Sequence, residues 1–328
     1  MRAARLPFCF LPIALALGLA GCGSTAGPSP SPEAAPPQAA GQAGDTLANQ
    51  TEAARLKMAG DFCENHQQLL SNAHRFLRRE ALPMPPQGLT LEQARCGARK
   101  FVKGLIPSAG TVIGYKAEQV GQRAGPIDKD NQAVTIRGTL LEKMMLSNGV
   151  AFQTDRFAIH PRIEADLLAV VRSAAIHDAQ TPRELLASLS AIHPFIELPD
   201  LAYEKPDQID AAAATLANAN ARFGVLGAPI QIQVDQAMVD QLANMTVRLR
   251  DQQGNELEAV PGASLDGNPL NALLSLVQSL EQAGVRLRPG DMLSAGAFGS
   301  RHVPEANNAY RLTYEGLPGN PEVIVHFQ

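Results

Sequence analysis

The residues best placed for chemistry are three carboxylates in two apolar runs. Glu164 and Asp166 stand in His160-Pro161-Arg162-Ile163-Glu164-Ala165-Asp166-Leu167, and Glu197 stands in Pro194-Phe195-Ile196-Glu197-Leu198. Side chains alternate along a strand, so Glu164 and Asp166 point to the same face. Like charges held side by side repel unless a cation or solvent separates them. With Glu197 they offer an all-oxygen set, which suits a hard cation, Mg²⁺ or Mn²⁺, rather than zinc. Spacing alone also fits two acids on a solvated strand face, the commoner occurrence.

The elements around these residues follow from periodicity and punctuation. Helical segments are expected over residues 46–79 and 91–106, parted by Leu82-Pro83-Met84-Pro85-Pro86. In the second, Leu91, Ala94, Ala98, Phe101 and Val102 recur at helical spacing. Strands take over from Gly110, at residues 112–116, 134–136 and 163–171. A helix over 182–192 is expected to lead into the run that carries Glu197. Asp251-Gln252-Gln253-Gly254-Asn255 separates two β-like runs and signals a hairpin. Residues 268–283 read as a strong helix, apolar at Leu270, Leu273, Leu274, Val277 and Leu280 and stopped by Gly284. Strands return around Met292, 310–314 and 323–327. The pattern is α+β: a helical N-terminal part, residues 45–109, and a sheet-dominated body, residues 110–328.

Six blocks in order carry a resemblance over roughly residues 89–327. They are Gly114-Tyr115-Lys116, Gly138-Thr139-Leu140, Pro161-Arg162-Ile163-Glu164-Ala165-Asp166, Ile196-Glu197, Gly267-Asn268-Pro269-Leu270-Asn271-Ala272 and Gly290-Asp291. In this the sequence resembles the fumarylacetoacetate hydrolase superfamily, in its 2-keto-4-pentenoate hydratase and oxalocrotonate decarboxylase branch. The resemblance implies a fumarylacetoacetase-like mixed β-roll with an N-terminal helical part, and possible homodimers. It assigns the divalent metal to Glu164, Asp166 and Glu197, with Asp166 replacing a glutamate by its shorter homologue. Lys116 takes the place of a lysine that orients water or substrate, and Arg162, which follows the motif, is placed either to meet a substrate carboxylate or to form an ion pair with a Glu or Asp. The implied reaction is a hydratase-like lyase step on a small 2-oxo or 2-hydroxydienoic acid, with Mg²⁺ or Mn²⁺ as cofactor.

Several positions depart from that pattern. Ala117-Glu118-Gln119-Val120-Gly121 replaces a loop with a glycine and two hydroxyls, Ile136 replaces an acid, and Ala295 replaces a threonine. Ala219-Asn220-Ala221-Arg222 stands for an Asp-Asn-Ala-Ser stretch. The metal ligands are kept while proton-transfer groups change. Two alternatives follow: a decarboxylase of the same fold, or a non-catalytic, membrane-tethered binding module derived from such an enzyme. Hydrolysis would call for a His-Glu pair, which the scattered histidines do not supply.

The N-terminus carries an address. Arg2 and Arg5 precede an apolar run over residues 6–19 that ends in Leu19-Ala20-Gly21-Cys22, a lipobox. Residues 1–21 read as a signal peptide, Cys22 as the lipidated (palmitate-type) residue, and 22–44 as a Pro-, Ala-, Gly- and Ser-rich tether. Gly23 in place of Asp favours the outer membrane, facing the periplasm. Once Cys9 leaves and Cys22 is acylated, Cys63 and Cys96 remain, as one disulfide between the N-terminal helices or as two unrelated buried thiols. The formal charge of −4, from 28 basic and 32 acidic residues, and the absence of tryptophan argue against a nucleic-acid partner.

Overall fold

The computed structural model describes residues 65–120 and 134–328. The chain begins there with α1 (His66–Leu77) and α2 (Leu91–Ala109). Helix α1 is capped by Asn65, whose side chain accepts from Gln68 N, so the helix expected over 46–79 has a start at His66; its residues 46–64 lie outside those described. Helix α2 starts on a reciprocal capping box between Thr90 and Gln93. Cys96 on α2 is disulfide-bonded. Its expected partner Cys63, the lipobox, Cys22 and the tether all lie outside the described residues.

The next elements build two sheets. In the larger, the path runs β2 (Val134–Leu141), β1 (Val112–Val120), β10 (Met292–Ser294), β5 (Ile163–Val171), β6 (Leu189–Leu198), β7 (Phe223–Leu226), β3 (Met145–Ser147), with β11 (Phe298–His302) also paired to β5. The smaller has the order β4 (Ala151–Phe152), β13 (Glu322–Phe327), β12 (Asn308–Glu315), β8 (Thr246–Asp251), β9 (Glu256–Pro261). Strands β8 and β9 are the hairpin expected around Gly254. Strand β5 occupies the expected residues 163–171, central in its sheet and buried along nearly its whole length. That burial excludes the solvated-face reading of Glu164 and Asp166.

The helix expected over 182–192 is corrected. Helix α3 (Pro182–Ala187) stops early, and β6 begins at Leu189. A Thr181–Glu184 capping box with Pro182 at the first position starts the helix. Ile192 and Ile196 then bury against one face of the sheet, and pairing with β5 outweighs continued helix. Helix α4 (Ala211–Leu216) and α5 (Gln236–Asn244) follow β6 and β7. Helix α6 (Pro269–Gln282) is capped by Asn268 and buries Leu270, Leu273, Leu276, Val277 and Leu280.

The main core joins α6, one face of β5 and β6 (Ile163, Ala165, Leu167, Ile192, Ile196) and the smaller sheet (Val247, Leu249, Leu312, Val325). A second core joins α1 and α2 to β2 and α4 through Phe76, Phe101, Leu105, Ile136 and Ala213. The remaining face of β5 and β6 is thus enclosed by protein yet carries the acids. No helix among the described residues is long and apolar enough to cross a membrane.

Candidate active site

Strand register gathers the expected residues. Glu164 lies directly opposite Glu197 in the β5–β6 ladder, with Asp166 two residues along the same face. Lys116 on β1 pairs with Ser294 on β10, and Ser294 with Leu168 on β5, so the lysine joins that face from two strands away. Lys116 and Asp166 are fully buried, and Glu118, Glu164 and Glu197 nearly so.

The contacts divide these groups between two cations. Lys116 Nζ lies 3.1 Å from Glu118 Oε2 and 2.5 Å from Glu197 Oε1, and donates to Ala219 O at 3.0 Å. Arg301 Nη2 donates to Glu118 Oε1 at 2.6 Å, and its Nε donates to Glu164 Oε1. Asn220 Nδ2 also donates to Glu118, at 2.8 Å. Asp166 is held apart from both cations: its carboxylate accepts from Ser294 Oγ at 2.5 Å, Leu167 N at 2.5 Å and Gly296 N at 3.1 Å. Glu197 Oε2 has no hydrogen-bond partner among the described residues.

Four carboxylates (Glu118, Glu164, Asp166, Glu197) against two cations (Lys116, Arg301) leave a formal surplus of two negative charges. Burial opposes the Lys116 charge, but Glu118, Glu197 and Glu164 together raise it above the ordinary amine range, so it stays an ammonium. Burial likewise works against Glu118, yet Lys116, Arg301 and Asn220 hold it below the usual carboxylate range. Burial pushes Asp166 up to about 7, partly offset by its Ser294 and Leu167 hydrogen bonds. Burial, with Glu164 and Asp166 nearby, puts Glu197 well above its ordinary value, against the pull of Lys116.

The donor chemistry fits a divalent cation: all the acids are carboxylates, they share one face, and one Glu197 oxygen is unpartnered. The carboxylates are nevertheless turned to Lys116, Arg301 or Ser294, and no three acidic groups among the described residues form a ready ligand shell. Arg162 is half-buried, donates to Pro161 O at 2.9 Å and feels the charge of Arg301; it forms no ion pair among the described residues.

A strained bend closes the site. Asn218, Ala219 and Asn220 have φ of 60°, 50° and 54°, a left-handed run that non-glycine residues avoid. Hydrogen bonds from every residue of the bend fix it in place. Asn218 bonds both Thr139 N and Thr139 O, Ala219 O accepts from Lys116, and Asn220 donates to Glu118. The bend passes so close to β2 that a Cβ on Gly138 would lie 2.5 Å from Asn218 O and 3.1 Å from Lys116 Cγ. A Gly138→Ala protein is therefore expected to lose about 1–3 kcal/mol, the usual cost of overpacking, measured by urea unfolding. An unchanged midpoint would mean that the bend yields freely.

Two small cavities flank the cluster, both lined by Ala117, Glu118 and Gln119. One, of about 30 Å³, also touches Glu164, Gly299 and Arg301. The other, of about 110 Å³, also touches Thr135, Ser275 and Gly296.

Sequence reading missed Glu118, Arg301 and Asn220. Glu118 had a signal, since it shares a strand face with Lys116 two residues earlier. Arg301 had none, lying 137 residues from its partner Glu164 with no motif around it.

No protein-family model matches the sequence. The 2-keto-4-pentenoate hydratase of Burkholderia vietnamiensis (strain G4 / LMG 22486) is 29% identical over 159 residues, which are 48% of this chain and 58% of that protein. The match thus spans less than two thirds of the relative. Among solved structures, 4-oxalocrotonate decarboxylase from Pseudomonas putida G7, complexed with magnesium and adipate, aligns with a TM-score of 0.65 at 18% identity, covering 80% of this chain and 98% of that one. The same decarboxylase complexed with calcium and acetate aligns with a TM-score of 0.62, at 18% identity and the same coverage. The mixed α+β architecture of this chain is therefore the fumarylacetoacetate hydrolase-type fold.

Proposed function

We propose that the chain is a divalent-metal-dependent lyase acting on a small 2-oxo or 2-hydroxydienoic acid. The observation that carries this reading is the buried cluster of four carboxylates against two cations, a formal surplus of two negative charges that a divalent cation would neutralise. The magnesium and calcium bound by the similarly folded decarboxylase support it. Glu164, Asp166 and Glu197 would hold Mg²⁺ or Mn²⁺. When bound, the cation supplies Lewis-acid charge that favours proton loss beside a keto group.

The chain's own residues supply the rest. Lys116, kept as an ammonium with its three protons turned to Glu118, Glu197 and Ala219 O, positions those acids rather than taking a proton. Glu118 lines both small cavities, and its three donors keep it ionised, so it stands there as an anionic acceptor of hydrogen bonds. It also lies opposite Ile136 in the β1–β2 ladder, which restores a carboxylate where the resemblance expects one on the neighbouring strand. Arg162, unpaired and near Arg301, would meet the substrate carboxylate. The small cavities limit the substrate to a short acid.

Calorimetric titration with Mg²⁺ and Mn²⁺, with and without oxalate, tests this reading. The wild-type protein is expected to bind metal and to take up oxalate only with metal. A Glu164→Gln/Asp166→Asn protein is expected to bind metal at least about 100-fold more weakly, beyond the range seen when groups supporting metal ligands are lost. No metal binding by the wild type would leave the non-catalytic binding module. One observation favours that alternative: Lys116 and Arg301 already contact three of the four carboxylates, Glu118, Glu164 and Glu197.

We further propose that residues 1–21 are removed, that 22–44 tether the domain of residues 45–328, and that acylated Cys22 anchors it to the cell envelope, facing the periplasm. Intact mass of the membrane-fraction protein tests this. An N-terminus other than diacylglyceryl-Cys22 would refute it.

A further inference from the structure

A separate cavity of about 300 Å³ lies between α2, the β1–β2 ladder and the end of α6, lined in part by Arg95, Arg99, Arg137, Tyr115, Thr139 and Asn218. Arg95 and Arg99 stand four residues apart on one face of α2, an arrangement in which like charges destabilise a helix. Arg137 reaches the same space from β2, half-buried. Its Nη1 donates to Ser279 O at 2.8 Å and Ser279 Oγ at 2.5 Å, which fixes the guanidinium at the wall. Burial, and then the charges of Arg95 and Arg99, push Arg137 below its ordinary value. No acidic side chain lines the cavity, and none among the described residues forms an ion pair with any of the three. The other wall is apolar, with Val102, Leu280 and Val285.

Three converging guanidiniums without a counter-ion repel one another, and an anion with several oxygens removes that repulsion through charge-assisted, forked hydrogen bonds. We propose that this cavity binds a small phosphate monoester, its head held by Arg95, Arg99 and Arg137 and its apolar body laid against Val102, Leu280 and Val285. A tetrahedral dianion presents oxygens to three forks at once, which a single carboxylate does not. Thr139 and Asn218 also line the cavity, so the occupant touches the bend whose next residue, Ala219, accepts from Lys116.

The test is calorimetric titration of the full chain, in EDTA and at low ionic strength, with phenyl phosphate, inorganic phosphate and adipate. Phenyl phosphate is expected to bind most tightly, and an Arg95→Gln/Arg99→Gln protein, changed only at exposed helix positions, is expected to bind it at least about tenfold more weakly. Absence of phosphate binding, or equal binding by the double variant, overturns the proposal. Preference for adipate overturns the assignment of the head group. The chelator removes divalent cations, so failure here is distinguishable from failure of the lyase reading.

Discussion

A Lys116→Met protein is expected to lose about 3–5 kcal/mol of stability in the presence of EDTA, the cost of leaving buried charges without their partner. The lysine is fully buried and lies against Glu118 and Glu197. Methionine fills most of the space of the stem, so packing changes little and the loss reports charge. For a domain of this size the loss amounts to roughly 6–20 °C in Tm. Mg²⁺ at about 100 times its Kd is expected to restore about 2.7 kcal/mol, because it binds only the folded protein. Thermal unfolding of wild type and variant, each with EDTA and with Mg²⁺, checks both statements. An unchanged Tm in EDTA would show that the ammonium does not hold the cluster together. A large loss that Mg²⁺ leaves untouched would show a salt-bridged core with no place for a metal.

The second large effect concerns Arg301, the residue that occupies Glu164. Its guanidinium bridges Glu164 and Glu118 from the rim of the smaller cavity. Replacing it with leucine is expected to destabilise the metal-free protein by about 3–5 kcal/mol, since two buried carboxylates lose their counter-ion. The same change is expected to tighten Mg²⁺ binding at least about tenfold, because the cation no longer competes with an internal one for Glu164. Opposite signs in stability and affinity separate this role from a purely structural one. Calorimetry with Mg²⁺ measures the affinity, and urea unfolding in EDTA measures the stability. Weaker metal binding in the variant would mean that Arg301 supports the ligands rather than competing for them.

Much of this was legible in the chain. Alternation within Ile163–Val171 placed Glu164 and Asp166 on one face, and the structure keeps that face and those bounds. The helices expected from residues 91 and 268 start within a residue of where the structure has them, because capping is satisfied within one turn. Gly254 marks the hairpin for the same local reason. The stop of α3 at Ala187 was not legible, since residues 188–192 join a strand only because β5 lies alongside.

What the sequence by itself determined about this protein is the set of local choices: which segments coil or extend, and which acids share a strand face. The tertiary structure alone decided that Glu164 faces Glu197, that Lys116 arrives from two strands away, and that Arg301 crosses 137 residues to reach Glu164. It also decided that these charges are buried. The physical reason is that capping and alternation are short-range, satisfied within a few residues. Register, burial and the pairing of charges depend on which distant strands come to lie side by side, and no local spacing carries that information.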